Sequence, residues 1–465
     1  MTDTLQRWLE AGQVALEVGQ FRDAVDAFTR VRELLPTDVS IAIALANVHR
    51  LSGDVPMTRH TLLQAYVGCT WSDPTVAFAL GAALLEAGAA LEAAACFEHV
   101  VMLLPNTPAA LGALAGARRT RGDPHSAWPL MSRALAKAPA DPALLLTAAQ
   151  VRHDLGDIDG ALRWLHRADA VRPHHAGTHL QRAYSLLLRG PSHNAWTAFD
   201  SRPLPVPATS ARAWNGEPLN GASILVTAEQ GVGDQFQFVR FIPQVVARGA
   251  GRVVVECHVD VVSLLVANGL EAIARGASPE TEWHVPLLSL PHRLGVDSNV
   301  GGALVPYLRA PRASVSVPPR APGVRRIGLV WAGNPAFPGR VTRDLDPSLL
   351  PEIVGIPGIE WISLQHGDVG DVSHPQLTRE LLSTDWASTA DRLASLDGLV
   401  TTDTGIAHLA GAMGVPTWVM LQRVPDWRWG LAGELSAWYP TLRLLRQSQW
   451  NDWKGVLDQL RVALA

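Results

Sequence analysis

The sequence predicts an α-helical solenoid followed by two Rossmann-type α/β units. Three observations predict this mixed α and α/β fold: a pattern that recurs about every 34 residues, a proline-rich stretch that ends it, and short β-branched runs alternating with helical stretches beyond. The 465 residues are too many for one ordinary core. We therefore place a repeat array at 1–200, a linker at 201–222, and α/β units at 223–318 and 326–465.

The repeat is defined by three positions. A glycine recurs every 34 or 35 residues, at Gly19, Gly53, Gly88, Gly122, Gly156 and Gly190. Five residues later stands a small side chain, at Ala24, Thr58, Ala93, Ala127, Ala161 and Ala195. Nine residues after the glycine stands a bulky apolar one, at Phe28, Leu62, Phe97, Met131, Leu165 and Phe199. We expect the glycine to end the first helix of a pair, the small residue to let the helices approach, and the bulky residue to fill the space between pairs.

This pattern resembles the tetratricopeptide repeat (TPR) family. The resemblance implies five complete repeats and a partial sixth, with a concave groove that binds an acceptor protein. A spacer or a dimerisation surface is the alternative. The asparagine ladder that clamps peptides in eukaryotic O-GlcNAc transferases is largely absent here, where its positions hold Gln13, Asn47, Ala82, Gly116, Gln150 and Tyr184.

Composition limits the classes of partner. A formal charge of -4 argues against nucleic acid, which needs an excess of cations. Cys69, Cys96 and Cys257 lie far apart and form no metal-ligand spacing. The N-terminus shows no secretory signal, and no uncharged apolar run reaches about 18 residues, so we expect a cytoplasmic chain without a transmembrane segment.

Two segments after predicted strands carry candidate chemistry. Gly231, Gly233 and Asp234 follow the strand at 224–229, where glycines permit a tight turn and close backbone approach. The alternative is a structural turn with Asp234 as an N-cap. The second segment is Asp403, Thr404, Gly405 and His408. Its backbone N–H groups face a diphosphate in this interpretation and Asp403 accepts hydrogen bonds from a sugar, whereas a helix-packing role is the alternative for His408.

The region from about 223 to 460 resembles bacterial TPR-linked glycosyltransferases and, more distantly, heptosyltransferases. The matching elements are G-x-G-D, IGLVWAGNP, SLQ, D-T-G-x-x-H-L-A-G-A and the tail VPDWRWG…WYPTLRLLRQ. The resemblance implies a metal-independent GT-B transferase without a cofactor, whose co-substrate is a nucleotide-sugar. It assigns Asp234 as the general base. The donor-binding residues that it implies are Gly231, Gly233, Asn334, Arg340, Arg343, Gln365, Asp403, Thr404, Gly405 and His408.

Within that set, a basic residue after WAGNP often neutralises the leaving diphosphate in this group. Arg340 and Arg343 are the candidates here, because no lysine occurs in that region. Trp427, Arg428 and Trp429 either stack on the nucleotide or, for the two tryptophans, pack in the core.

The expected function is transfer of a sugar to a protein held by the repeats, with bacterial flagellin as one candidate acceptor by family analogy. A glycan or lipid-linked acceptor in surface polysaccharide assembly is the alternative within the same class. An interaction scaffold with a degenerate transferase region is the alternative from another class, and the intact G-x-G-D and D-T-G-x-x-H motifs count against it.

Overall fold

The computed structural model describes residues 2–68, 72–204, 209–277, 279–297, 305–312, 321–334, 340–366, 376–379 and 385–465. The chain divides into two compact units, Met1–Pro173 and His174–Ala465. No helix in these described ranges is both long and apolar enough to cross a bilayer.

The first unit is built from antiparallel helix pairs, as the repeat pattern predicts. Aspartates cap several of the helices by accepting N–H groups of the first turn, among them Asp38, Asp73 and Asp141. The helices are α1 (Thr2–Glu17), α2 (Phe21–Leu34), α3 (Val39–Leu51), α4 (Val55–Gly68), α5 (Pro74–Glu86), α6 (Ala90–Leu103), α7 (Pro108–Thr120), α8 (Pro124–Lys137), α9 (Pro142–Asp154) and α10 (Ile158–Val171).

The glycines between the helices of these pairs adopt the left-handed backbone conformation, with φ from +76° to +82° at the first five. The small and bulky positions are buried, as expected. The bulky residue, however, packs within its own pair in two repeats. A methyl group added at Gly81 of α5 would lie 2.8 Å from the Phe97 ring of α6, and one at Gly12 of α1 would lie 3.0 Å from Phe28 of α2. A residue without a side chain on the first helix therefore accommodates the ring of the second.

The sixth helix pair, α11 (Ala176–Arg189) and α12 (His193–Phe199), belongs to the second compact unit. Its α12 is held there by aromatic packing, because the Trp196 ring lies 5.7 Å and the Phe199 ring 5.9 Å from that of Trp427. Just after α12, Arg202 forms an ion pair with Glu229, and both side chains are almost fully buried. The compact units therefore divide inside the predicted array, before its last helix pair.

The first sheet of the second unit has five parallel strands in the order β1-β5-β2-β3-β4. Its edge strand β1 lies in the segment that we predict to be a linker, and it pairs with β5. The strands are β1 (Arg212–Ala213), β2 (Ser223–Thr227), β3 (Arg252–Cys257), β4 (Glu271–Ala274) and β5 (Trp283–Pro286). The helices beside them are α13 (Val232–Phe238), α14 (Ile242–Ala247), α15 (Val259–Ala267) and α16 (Leu290–Arg293).

The second sheet has six parallel strands in the order β11-β10-β9-β6-β7-β8. This is the doubly wound order, in which the chain reverses direction across the sheet between β6 and β9. The strands are β6 (Arg325–Val330), β7 (Ile359–Ser363), β8 (Leu377–Arg379), β9 (Gly398–Thr402), β10 (Thr417–Leu421) and β11 (Leu442–Arg446). The helices are α17 (Arg340–Arg343), α18 (Leu350–Val354), α19 (Trp386–Leu393), α20 (Gly405–Met413) and α21 (Trp453–Leu464).

The packing of the repeats predicts opposite effects for two alanine substitutions inside helices. Gly116→Ala adds a methyl group with nothing within 4 Å of it, so it should raise the free energy of unfolding by about 0.5–1 kcal/mol through helix propensity. Gly81→Ala pushes a methyl group onto the Phe97 ring and should lower that free energy by about 1 kcal/mol or more. Urea titration followed by circular dichroism measures both, and shifts of the same sign would contradict this packing.

Candidate functional site

Two of the predicted motifs meet at the point where the strand order of the second sheet reverses. The loop after β6 contains Gly333, and the loop after β9 contains Asp403 and Thr404. A methyl group built at Gly333 would lie 3.7 Å from the Thr404 methyl group, so the two loops are in contact. In open α/β sheets, ligands bind in the crevice outside such a reversal, at the carboxyl ends of the strands. This edge of the second sheet is our candidate site.

The G-x-G-D segment of the first sheet packs directly against this site. A methyl group added at Gly233 in α13 would lie 2.8 Å from the His408 ring and 3.2 Å from the Gly405 Cα atom. Gly233 and Gly405 therefore allow two backbone segments from different sheets to touch. Gly233 therefore allows two segments of the same chain to pack closely. The helix α13 that contains it is short, with seven residues.

Asp234 faces the second sheet's loops as well as its own helix. Gly231, and not Asp234, is the N-cap residue of α13. From the third position of the helix, Asp234 Oδ2 accepts the Gly231 N–H at 3.0 Å. Its Oδ1 forms an ion pair with Arg428, which lies in the turn after β10. Burial raises the pKa of Asp234, and the Arg428 charge opposes that rise. The same carboxylate thus accepts a hydrogen bond from its own loop and links the two α/β halves.

Five charged side chains form one continuous chain of ion pairs through the site. Arg428 pairs with Asp234 at one end and with Asp426 at 2.8 Å. Arg343 approaches the other oxygen of Asp426 at 3.7 Å and pairs with Asp403. The network joins the loop after β2 to the loop after β9, and each of its acids has an arginine partner.

The three acids differ in how firmly they stay ionised. Burial raises the pKa of Asp403, while the charge of Arg343 opposes the rise. Burial acts in the same direction on Asp426, but the charges of Arg428 and Arg343 together outweigh it and lower its pKa. Asp426 is therefore the stable anion of the network, and Asp234 and Asp403 are the acids that protonate more readily.

The other predicted donor-binding residues have different surroundings. Gln365 accepts the backbone N–H groups of Trp331 and Ala332 at 3.1 and 3.0 Å and donates to the Ala332 carbonyl at 2.9 Å, so it braces the loop after β6. Asn334 is exposed at the end of that loop. Arg340 begins α17, but its side chain lies outside the described part of the structure.

His408 is enclosed by aromatic side chains, which favours the packing alternative. Its ring stacks on Trp429 with centroids 5.0 Å apart, and its Nδ1 lies 3.0 Å from the Tyr439 hydroxyl. Burial, followed by the neighbouring Arg428 charge, holds the pKa of His408 well below its usual value. Trp427 and Trp429 are also buried, so both pack in the interior.

Asp426 and Arg446 are site residues that motif reasoning missed. Arg446 on β11 donates to the backbone carbonyls of Trp429, Gly430 and Gly433 at 2.6, 2.9 and 2.9 Å. Burial lowers its pKa to about 10. Because it ties down the residues directly after Arg428, it fixes the turn that carries the network. Both residues lie in the tail VPDWRWG…WYPTLRLLRQ, which was the available signal.

Comparisons with known proteins give one curated relative and two solved structures as examples of similarity. Protein FlbA of Caulobacter vibrioides is 24% identical over 368 residues, which cover 68% of this chain and 60% of that protein. The chain thus spans less than two thirds of the length of this relative. A TPR protein from Parabacteroides merdae ATCC 43184 gives a TM-score of 0.36 at 14% identity, over 42% of this chain and 84% of that one. The protein MamA gives a TM-score of 0.32 at 17% identity, over 37% of this chain and 93% of that one.

A family model adds the decisive sequence match. Residues 118–185 match the model described as tetratricopeptide repeat. This match runs from the end of α7 into α11, so it includes α8, α9 and α10 completely. Residues 118–185 are therefore similar to tetratricopeptide repeats, which form helical arrays whose concave surfaces commonly bind proteins.

Proposed function

We propose that the chain is a glycosyltransferase that moves a sugar from a nucleotide-sugar to an acceptor hydroxyl. The observation that carries this proposal is the position of the D-T-G-x-x-H segment. It follows β9 at the reversal of strand order, beside the loop after β6 and against the G-x-G-D segment. Ligands of doubly wound sheets gather at this place. Three of the motifs of the resemblance therefore come together at one place, although they are far apart in sequence.

The charged network supplies the groups that such a transfer needs. Asp234 takes the proton of the acceptor hydroxyl, whose oxygen attacks the anomeric carbon of the sugar. The bond from that carbon to the phosphate oxygen breaks, and the nucleotide leaves with the electron pair. Positive charge from Arg343 and the N-terminus of α20 stabilises the leaving phosphate. In this assignment Asp403 holds the sugar of the donor.

In this proposal the repeats bind the protein that accepts the sugar. TPR arrays commonly bind proteins, so the acceptor hydroxyl belongs to a protein, with flagellin as a candidate. A glycan or lipid-linked acceptor remains the same-class alternative. The repeat match is the specific observation that favours the second candidate function, a scaffold that binds proteins without transferring sugar.

A panel of nucleotide-sugars, read by thermal shift of the intact chain, separates the enzyme from the scaffold. A transferase should be stabilised by its donor, because a ligand that binds only the folded state raises its stability. The best donor is then incubated with candidate acceptors, and the product is read by mass spectrometry. A scaffold predicts no shift with any nucleotide-sugar and an unmodified partner protein.

Replacing Asp403 should abolish turnover without unfolding the protein. Asp403→Ala removes the carboxylate that is assigned to the donor sugar and leaves Arg343 beside Asp426. The matched control is Asp458→Ala, which removes an exposed carboxylate from α21. Donor consumption and the melting temperature are measured for both. Normal turnover in a folded Asp403→Ala protein would assign the residue a structural role.

Replacing Asp234 tests the base. Asp234→Asn keeps the size of the side chain and removes its basicity, so turnover should fall by about 10²–10⁴-fold. The assay is a single-turnover measurement at saturating donor, which separates the chemical step from binding. Near-normal turnover would leave Asp234 only as the acceptor of the Gly231 N–H and the partner of Arg428.

A further inference from the structure

Arg428 is a buried cation whose three nitrogens are all engaged. Nε donates to Gln237 Oε1 at 2.9 Å, Nη1 donates to Asp426 at 2.8 Å, and Nη2 pairs with Asp234. Only 9% of its side chain is exposed. A guanidinium that is shielded from water binds anions strongly, because it can donate two parallel hydrogen bonds to a carboxylate or a phosphate.

Arg343 is the second cation of the site, and Asp426 bridges the two. Each guanidinium approaches a different oxygen of that carboxylate, at 3.7 Å for Arg343 and 2.8 Å for Arg428. The cations are therefore separated by little more than the width of one carboxylate. That spacing suits two neighbouring phosphate groups.

The start of α20 adds backbone donors at the same place. Thr404 is the N-cap of this nine-residue helix, and its side chain makes no capping hydrogen bond. The N–H groups of Gly405 and Ile406 have no acceptor within the helix, because of their position in its first turn. Asp403, directly before the cap, carries the carboxylate that Arg343 holds. Cations and helix N-terminus thus converge.

On the basis of the proposed function, we propose that Arg343 and Arg428 bind the two phosphates of a nucleoside diphosphate donor. The carboxylates of Asp403 and Asp234 pair with these arginines in the structure, and the phosphates displace them. Arg428, which the motifs suggested only as a stacking residue, is then an anion-binding residue. Asp426 stays between the two cations and keeps them together.

The exchange also controls the base. While Asp234 is paired with Arg428, the charge of Arg428 opposes the rise in the pKa of Asp234 that burial causes, so the carboxylate is a weaker base than it would be without that cation. Once the phosphates take Arg428, Asp234 keeps its buried position but loses its cation, and both effects favour protonation. Binding of the donor phosphates therefore makes Asp234 a stronger base toward the acceptor hydroxyl.

Calorimetric titration of the intact chain with inorganic pyrophosphate tests the site directly. Wild type should bind pyrophosphate at least roughly tenfold more tightly than orthophosphate, because two charge-assisted contacts replace one. Arg428→Met and Arg343→Met should each weaken pyrophosphate binding by about tenfold or more. The control is Arg461→Met on α21, since Arg461 also pairs with two carboxylates, those of Glu352 and Asp458.

A variant with the opposite expected sign guards against misfolding of Arg428→Met. Asp234→Asn removes the carboxylate that competes for Arg428, so pyrophosphate should bind several-fold more tightly than in wild type. Equal affinities for pyrophosphate and orthophosphate, unchanged binding in folded Arg428→Met, or unchanged or weaker binding in Asp234→Asn would each overturn the proposal. Pyrophosphate binding without consumption of any nucleotide-sugar would refute the proposed transfer alone, and transfer without these effects would refute the exchange alone.

Discussion

The ion pair between Asp234 and Arg428 is the interaction on which the candidate site depends. It joins a residue of α13, which follows β2 of the first sheet, to a residue in the turn after β10 of the second sheet, and both side chains are largely buried. Buried charges stabilise a structure only when their remaining donors and acceptors are satisfied. Here Gly231 satisfies the second oxygen of Asp234, while Asp426 and Gln237 satisfy the rest of Arg428. A polar contact therefore links the two α/β halves and fixes α13 against the turn after β10.

That contact in turn requires the backbones to come close. The methyl group of an alanine at Gly233 would intrude on Gly405 and His408, so a side chain there would push the two segments apart. The aromatic residues around His408 fill the space behind the contact, and Arg446 fixes the turn that carries Arg428. The close backbone contact at Gly233 and the dense aromatic packing around His408 thus both stabilise the contact between Asp234 and Arg428.

The sequence predicted the elements whose signals are local. The glycine marks each helix pair of the repeats, and β2, β3, β6, β7, β9 and β10 are short apolar runs of the kind that predicts strands. Strand β1 was missed because two residues carry no periodicity. Strand β5 contains a histidine and ends in a proline, and β11 alternates with arginines, so neither stood out as an apolar run.

The site was predictable only as separate pieces. Motifs identify Asp234, Asp403 and Arg343, the partner of Asp403. Arg428 and Asp426, which complete the network, come from the turn after β10, and no motif marks them as partners of these residues. A contact between residues almost two hundred positions apart leaves no periodic or compositional trace in one sequence. The dual role of Asp234, as acceptor of the Gly231 N–H and as partner of Arg428, likewise depends on tertiary structure.

The buried pair of Arg202 and Glu229 has a consequence for how such a chain is assembled during evolution. The proline-rich segment after residue 202 looks like a natural joint at which one repeat array could be exchanged for another. A gene fusion at that joint that omitted Arg202 would leave the buried Glu229 carboxylate without its arginine partner. The free energy of unfolding would then fall by about 3–5 kcal/mol. The part of the chain that must be inherited together therefore begins before the proline-rich segment. It includes the last helix pair, α11 and α12, together with the α/β region.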